Sequence, residues 1–175
     1  MVHQLLPWVE NQAGLFHAIA EYYLANANLN SYSSQFPRSG LMEFRKENQN
    51  FVLRLEKGEK VMETLNSFLS EKQIVGGKIQ GIGGIKNAEL GFFHASKKDY
   101  EWKTFKEDVE LISFLGTVSQ TGLHAHVVIS DDKFNAFGGH LKEAIVSVTV
   151  ELFLSEMKKI RRKDAPEFNL KFMEL

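Results

Sequence analysis

The sequence predicts an α+β fold built on a largely antiparallel sheet, and three observations carry that prediction. A strand-like run precedes a single amphipathic helix in the main part of the chain. A series of strand-like runs joined by short turns follows it. The longest apolar run, residues 144–157, repeats with a period of two. The regular strand–helix alternation of a parallel sheet is absent, and so are internal repeats and low-complexity tracts.

The elements follow in chain order. Residues 12–27 (QAGLFHAIAEYYLANA) set Leu15, Ile19 and Tyr22 at helical spacing, and a polar stretch with Pro37 and Gly40 reads as a linker. The chain thus divides into an N-terminal helical extension and linker, 1–41, and a main domain, 42–175, with Met42 itself a candidate start. NFVLRLEKG, ending at Gly58, alternates as a strand does. Val61, Met62, Leu65, Phe68 and Leu69 then share one face of a helix from about Glu59 to Lys72. GGKIQGIGGIKNAELGFFHA predicts two short strands, its glycines serving turns or close backbone approach. EDVELISFLGTVS is β-rich and LHAHVVIS is a strand. AIVSVTVELFLSEM has the length of a helix, but Val146, Val148, Val150, Leu152 and Leu154 fall on one face and Ser147, Thr149 and Glu151 on the other. With its β-branched residues, that alternation predicts a strand.

Composition narrows the function classes. With 43% hydrophobic and 25% charged residues, the chain has the make-up of a globular domain rather than a disordered one. A formal net charge of -1 supplies no global field toward nucleic acid or an anionic membrane, so any such contact needs a local patch. The absence of cysteine excludes disulfides and thiolate metal sites and suits a reducing compartment. No apolar stretch reaches the roughly 20 residues of a membrane span, and MVHQLLPWVENQ lacks the pattern of a secretion signal. The expectation is a cytoplasmic protein that does not engage a membrane.

Three of the six histidines lie in GLHAHVVISDDKFNAFGGHL, residues 122–141. His124 and His126 alternate along a strand, so both rings stand on one face with Cα atoms roughly 7 Å apart. SDDKFNAFGG is long enough to reverse the chain and bring His140 beside them, with Gly138 and Gly139 permitting a backbone twist. Three neutral nitrogens with an open fourth position suit zinc or another borderline divalent metal at bond lengths of about 2.0 to 2.1 Å. Glu151, on the polar face of the next strand, is the nearest candidate carboxylate: a fourth ligand, a second partner to a ligand, or a base on bound water. The bland alternative is a surface pair of histidines on an ordinary sheet. His3, His17 and His94 have no such company and read as structural or solvated.

Other motifs carry less. DDKFNAFGGHLKE begins like a calcium loop, but neither register puts glycine at the sixth position, and Lys142 stands where glutamate is needed when counting from Asp131. GGKIQGIGG matches neither the dinucleotide fingerprint nor the phosphate loop, which leaves hairpin turns as its use. The basic run Lys158, Lys159, Arg161, Arg162 and Lys163 is a candidate phosphate contact, or else a solvated terminus. No serine or cysteine nucleophile motif appears.

GEKVMETLNSFLSEKQIVGGKIQGIGGIKNAELGFF, VELISFLGTVS, LHAHVVISD, GGHLKEAIVSVTVELFL and the tail RRKDAPEFNLKFMEL together resemble the plant and prokaryote conserved (PPC) domain, over nearly all of 51–175. The specific features are His-x-His, then Gly-Gly-His-Leu, then a strand carrying Thr-x-Glu. The resemblance implies an α/β sandwich with a mainly antiparallel sheet and flanking helices, assembling as a homotrimer. It implies metal at His124, His126 and His140, as in some prokaryotic members, and matches Glu151 to the family's strand glutamate. The family is associated with DNA through plant proteins whose Arg-Gly-Arg-Pro hooks enter the minor groove. This chain has no such core; FPRSG is its nearest string.

Two functions follow as expectations. One is a trimeric, metal-associated binding module acting through protein contacts and DNA. The other is a metal-dependent, hydrolase-like enzyme whose three-histidine ion activates water or polarises a carbonyl, with Glu151 as proton acceptor. Under either, bound metal is released as pH falls below roughly 6, because the ligand rings must be neutral.

Overall fold

A computed structural model describes residues 42–175. The helix expected over 12–27, the linker, His3 and His17 lie outside the described residues. The order of elements is β1 (Glu43–Glu47), β2 (Asn50–Glu56), α1 (Val61–Glu71), β3 (Gly77–His94), β4 (Asp99–Phe105), β5 (Val109–Ser119), β6 (Gly122–Ser130), β7 (Ala136–Glu156), β8 (Arg161–Ala165) and β9 (Leu170–Glu174).

The sheet is antiparallel throughout, in the order β1-β2-β7-β6-β5-β3-β4, and a further β7–β3 pairing joins distant members of that order. β7 bonds to β6 and β3, and β5 bonds to the same two, so the pairings close a four-strand ring. The layering therefore differs from the sandwich with flanking helices. Among the described residues α1 is the one helix, and a self-closing sheet does most of the core's enclosing. Closure also removes edges that a flat sheet would leave open to other chains.

α1 buries the five residues expected, Val61, Met62, Leu65, Phe68 and Leu69, and starts two residues later than expected. Its N-cap, Lys60, offers no side-chain acceptor. The cap comes from β7 instead: Glu143 accepts the backbone N–H of Met62 on Oε1 at 2.8 Å and that of Glu63 on Oε2 at 3.1 Å. Two of the donors that every helix start leaves unpaired are thereby satisfied. The buried face packs on Leu55, Val127, Ala144 and their neighbours in one continuous core.

The glycine-rich segment is not two strands with a hairpin. It is one strand of 18 residues, β3, with register shifts at its bulges. A Cβ on Gly81 would meet the Glu151 carbonyl oxygen at 2.2 Å, and one on Gly83 the Thr149 oxygen at 2.3 Å. Those glycines let the β3 and β7 backbones approach where the ring closes, a use of glycine within a strand rather than at a turn.

The alternation predicted for 144–157 holds with one exception. Val146, Val150, Leu152 and Leu154 are fully buried, whereas Val148 is 71% exposed. Between Val146 and Val150 the partner strand advances only from Ile85 to Gly83, so β7 carries extra residues there. Such a bulge breaks the two-residue period locally and turns Val148 outward.

Candidate functional site

Register assembles the three histidines. His126 on β6 pairs directly with His140 on β7, and opposite residues of an antiparallel pair share a face. His124 lies two residues before His126 and on the same side. The turn that brings β7 back is organised by Asp131, whose carboxylate accepts the N–H of Lys133 and of Asn135, each at 2.9 Å, and the Asn135 amide at 3.1 Å. Those bonds also hold the Asp131 carboxyl below its ordinary pKa, chiefly through Asn135. The loop is a side-chain-closed turn, not a calcium site. Gly139 supplies space rather than twist: a Cβ there would meet the Gly91 carbonyl oxygen of β3 at 2.8 Å.

The ring centroids lie 5.1 Å apart for His124–His126, 4.9 Å for His124–His140 and 5.5 Å for His126–His140. One ligand nitrogen from each falls within 4.8 Å of the other two. A tetrahedral ion with bonds of about 2.0 to 2.1 Å holds its ligand atoms roughly 3.3 Å apart, so a small inward rotation of the rings suffices. His124 and His140 are half-buried and His126 is exposed, which leaves one side of the cluster open. Nδ1 of His140 is buried with no hydrogen-bond partner among the described residues. A buried ring nitrogen of that kind is costly unless something binds it. The donor set and this orphaned atom fit a divalent metal.

Electrostatics favour the same protonation state. Burial, then His140, His126 and Arg162, push the His124 ring from its ordinary 6.5 down to about 4. Burial and then His126 lower His140. Neutral rings are what a metal requires.

The remaining predicted site residues fall elsewhere. Glu151 pairs across the sheet with Ile82 and with Arg54. β3 and β5 stand between it and β6, roughly 14 Å of sheet at about 4.8 Å per strand. It is therefore neither ligand nor base to this cluster within one subunit, because two residues eleven apart on a strand that closes a ring occupy different walls. His94 sits at the end of β3 with Nε2 2.8 Å from Glu101 Oε2, a local pair outside the cluster. Arg162 is not a free surface cation. Its Nε donates to Ser119 Oγ at 3.2 Å, Nη2 to Thr117 Oγ1 at 2.8 Å and Nη1 to the Lys171 carbonyl at 3.1 Å. It ties the β8–β9 hairpin to the sheet, whereas Lys158, Lys159, Arg161 and Lys163 face solvent.

Two neighbours of the cluster escaped the sequence reading. Tyr100 and Trp102 on β4 pack on His140 at 5.2 Å and 6.0 Å between ring centroids. Alternation within DYEWKTF was the available signal. A cleft of about 480 Å³ opens beside the cluster, bounded by Tyr100, His124, His140, Arg162 and the β9 hairpin strand.

Comparisons agree with this architecture. The fold is similar to that of a candidate DNA-binding protein from Bacteroides thetaiotaomicron, at 27% identity and TM-score 0.73, over 77% of this chain and 97% of that one. It is similar to a plant- and prokaryote-conserved (PPC) protein from Pyrococcus horikoshii, at 32% identity and TM-score 0.67, over 79% and 99%. It is similar also to a metal-containing protein from Archaeoglobus fulgidus, at 29% identity and TM-score 0.66, over 77% and 99%. Among curated proteins, the bifunctional protein GlmU of a Synechococcus strain is 24% identical over 127 residues, 71% of this chain and 20% of GlmU. The chain thus spans about a fifth of the length of the curated relatives it matches. No helix among the described residues is long and apolar enough to cross a membrane. Residues 42–158, two thirds of the sequence, match the profile of the Plants and Prokaryotes Conserved (PCC) domain, and the chain belongs to that family.

Proposed function

We propose that this PCC-domain protein is a homotrimeric binding module whose His124, His126 and His140 hold zinc. The observation that carries the metal is the convergence of three imidazoles with a buried, unpartnered nitrogen on His140. Zinc suits three neutral nitrogens and an open position, where it supplies Lewis acidity. The likeness to a metal-containing archaeal protein supports the reading. Within one subunit the hydrolase alternative lacks Glu151 as its base, since that residue stands on another wall. Elemental analysis of tag-free protein tests the site: about one zinc per chain is expected in the wild type, falling to a small fraction in His126→Ala. Equal metal content in the two proteins rejects it.

Self-association is supported by the outer sheet face. Leu115 and Phe153 flank Gln80 in one cross-strand row that continues to His126 and His140. Leu115 is 58% and Phe153 59% exposed, with Ile82 and Ile112 close by and also exposed. An apolar patch of this kind marks a contact surface. A monomer in sedimentation equilibrium rejects the trimer. DNA contact is a second reading, supported by the exposed Lys158, Lys159, Arg161 and Lys163 and by the likeness to a candidate DNA-binding protein. It requires duplex affinity that falls steeply with salt; no mobility shift at low salt removes DNA as a partner.

A further inference from the structure

Resting on the metal reading above, we propose that the cleft between β6 and the β8–β9 hairpin binds a small carboxylate with an apolar body. The carboxylate end faces the histidine cluster and Arg162, and the hydrocarbon end lies along the hairpin.

The charge pattern selects an anion. His124 and His140 line the cleft, and all three ligands of the cluster are neutral donors, so a divalent ion bound there keeps its full charge. Arg162 and Lys171 line the same cleft, and among the described residues no aspartate or glutamate does. Among the described residues no carboxylate pairs with Arg162, which spends three of its N–H donors on Ser119, Thr117 and the Lys171 carbonyl. A guanidinium has five such donors, so two remain, one on each Nη nitrogen of a side chain whose position is fixed by the other three bonds. An anion is the group that satisfies both the ion and the two remaining donors. Arg162 also reaches His124 electrostatically, which puts the two halves of the binding site within each other's field.

The cleft's other wall selects the body of the ligand. Leu123, Leu170, Phe172 and Met173 contribute apolar side chains. A phosphate ion would leave that surface wet, whereas a short-chain or branched monocarboxylate covers it. A volume of about 480 Å³ lies within the range of small-molecule sites.

The test uses the full chain loaded with cobalt(II), whose visible bands change when a new ligand enters its coordination sphere. Hexanoate, acetate and inorganic phosphate are titrated separately, with heat of binding followed in parallel. Hexanoate is expected to shift the bands and saturate, with acetate weaker by about tenfold or more for want of its buried CH₂ groups. Phosphate is expected to bind more weakly than hexanoate. Arg162→Gln should weaken hexanoate by about tenfold or more, the cost of a charged hydrogen bond. Because Arg162 also fastens the hairpin, Lys171→Glu supplies a second variant: it reverses charge at the rim, leaves the backbone carbonyl in place, and should weaken hexanoate several-fold at unchanged cobalt content. Cobalt binding without any response to hexanoate overturns the carboxylate site and leaves the metal reading standing. Phosphate equal to hexanoate, or both variants behaving as wild type, overturns it likewise. Failure of the wild type to bind cobalt overturns both.

Discussion

Gly139→Ala separates a register-built metal site from a chance cluster of histidines. The added Cβ would sit 2.8 Å from the Gly91 carbonyl oxygen, a backbone atom that cannot rotate away. Restoring ordinary contact at 3.4 Å moves β7 from β3 by about 0.6 Å, at the residue next to His140. Metal–ligand distances tolerate only about 0.2 Å of error, so the displacement is roughly three times the allowance. Overpacking of this kind costs about 1–3 kcal/mol of stability. Zinc affinity should fall by about 10- to 100-fold, as for lost support of a ligand. Gly138→Ala is the control: its Cβ would meet the Val127 oxygen at 3.2 Å, a contact that a few tenths of an ångström relieves. Calorimetric zinc titration with urea unfolding of the metal-free proteins gives both quantities. Wild-type zinc affinity in Gly139→Ala, with protein that unfolds at the wild-type midpoint, refutes the argument.

Two further outcomes follow from the geometry. Glu143→Ala removes the carboxylate that caps α1 and should destabilise the fold by about 1–2 kcal/mol, read from urea midpoints, whereas an unchanged midpoint denies it the capping role. Metal-free protein should lose stability on acidification between about pH 6.5 and 4. His124 is held neutral in the fold to about 4, so over that window the unfolded chain takes up a proton that the native state refuses. The contribution is complete above 6.5 and is lost as pH falls; His124→Gln should flatten that slope, and a slope identical to wild type contradicts it.

Much of the site was legible because strand periodicity reports which residues share a face. Alternation put His124 and His126 together, and a reversing loop ahead of His140 allowed the third ring to join them. Periodicity does not report which strand lies alongside. Glu151 read as a neighbour because it follows on the same apolar run, yet the bulge at Val148 and the closure of β7 on β3 carry it to another wall. Arg162 read as one cation in a basic run, and only the tertiary approach of Thr117 and Ser119 distinguishes it from Arg161. Glu143 and the α1 terminus it serves are 81 residues apart, beyond the reach of any local pattern. The glycines of β3 looked like turn formers because glycine has two uses, and sequence alone does not tell a tight turn from a near backbone.

The pairing of β2 with β7 has a consequence for how the polypeptide is made. Asn50 and Ser155, which bond across those strands, are 105 residues apart. At about 5–20 residues per second, β2 leaves the ribosome roughly 5–20 s before its mate. For that interval Phe51, Leu53 and Leu55, buried in the finished fold, have α1 to pack on but lack the β7 strand that completes their cover. A nascent chain halted before residue 149 thus presents a sticky, one-sided ribbon, and a chaperone that shields extended apolar segments should associate with translating polysomes until the last long strand arrives.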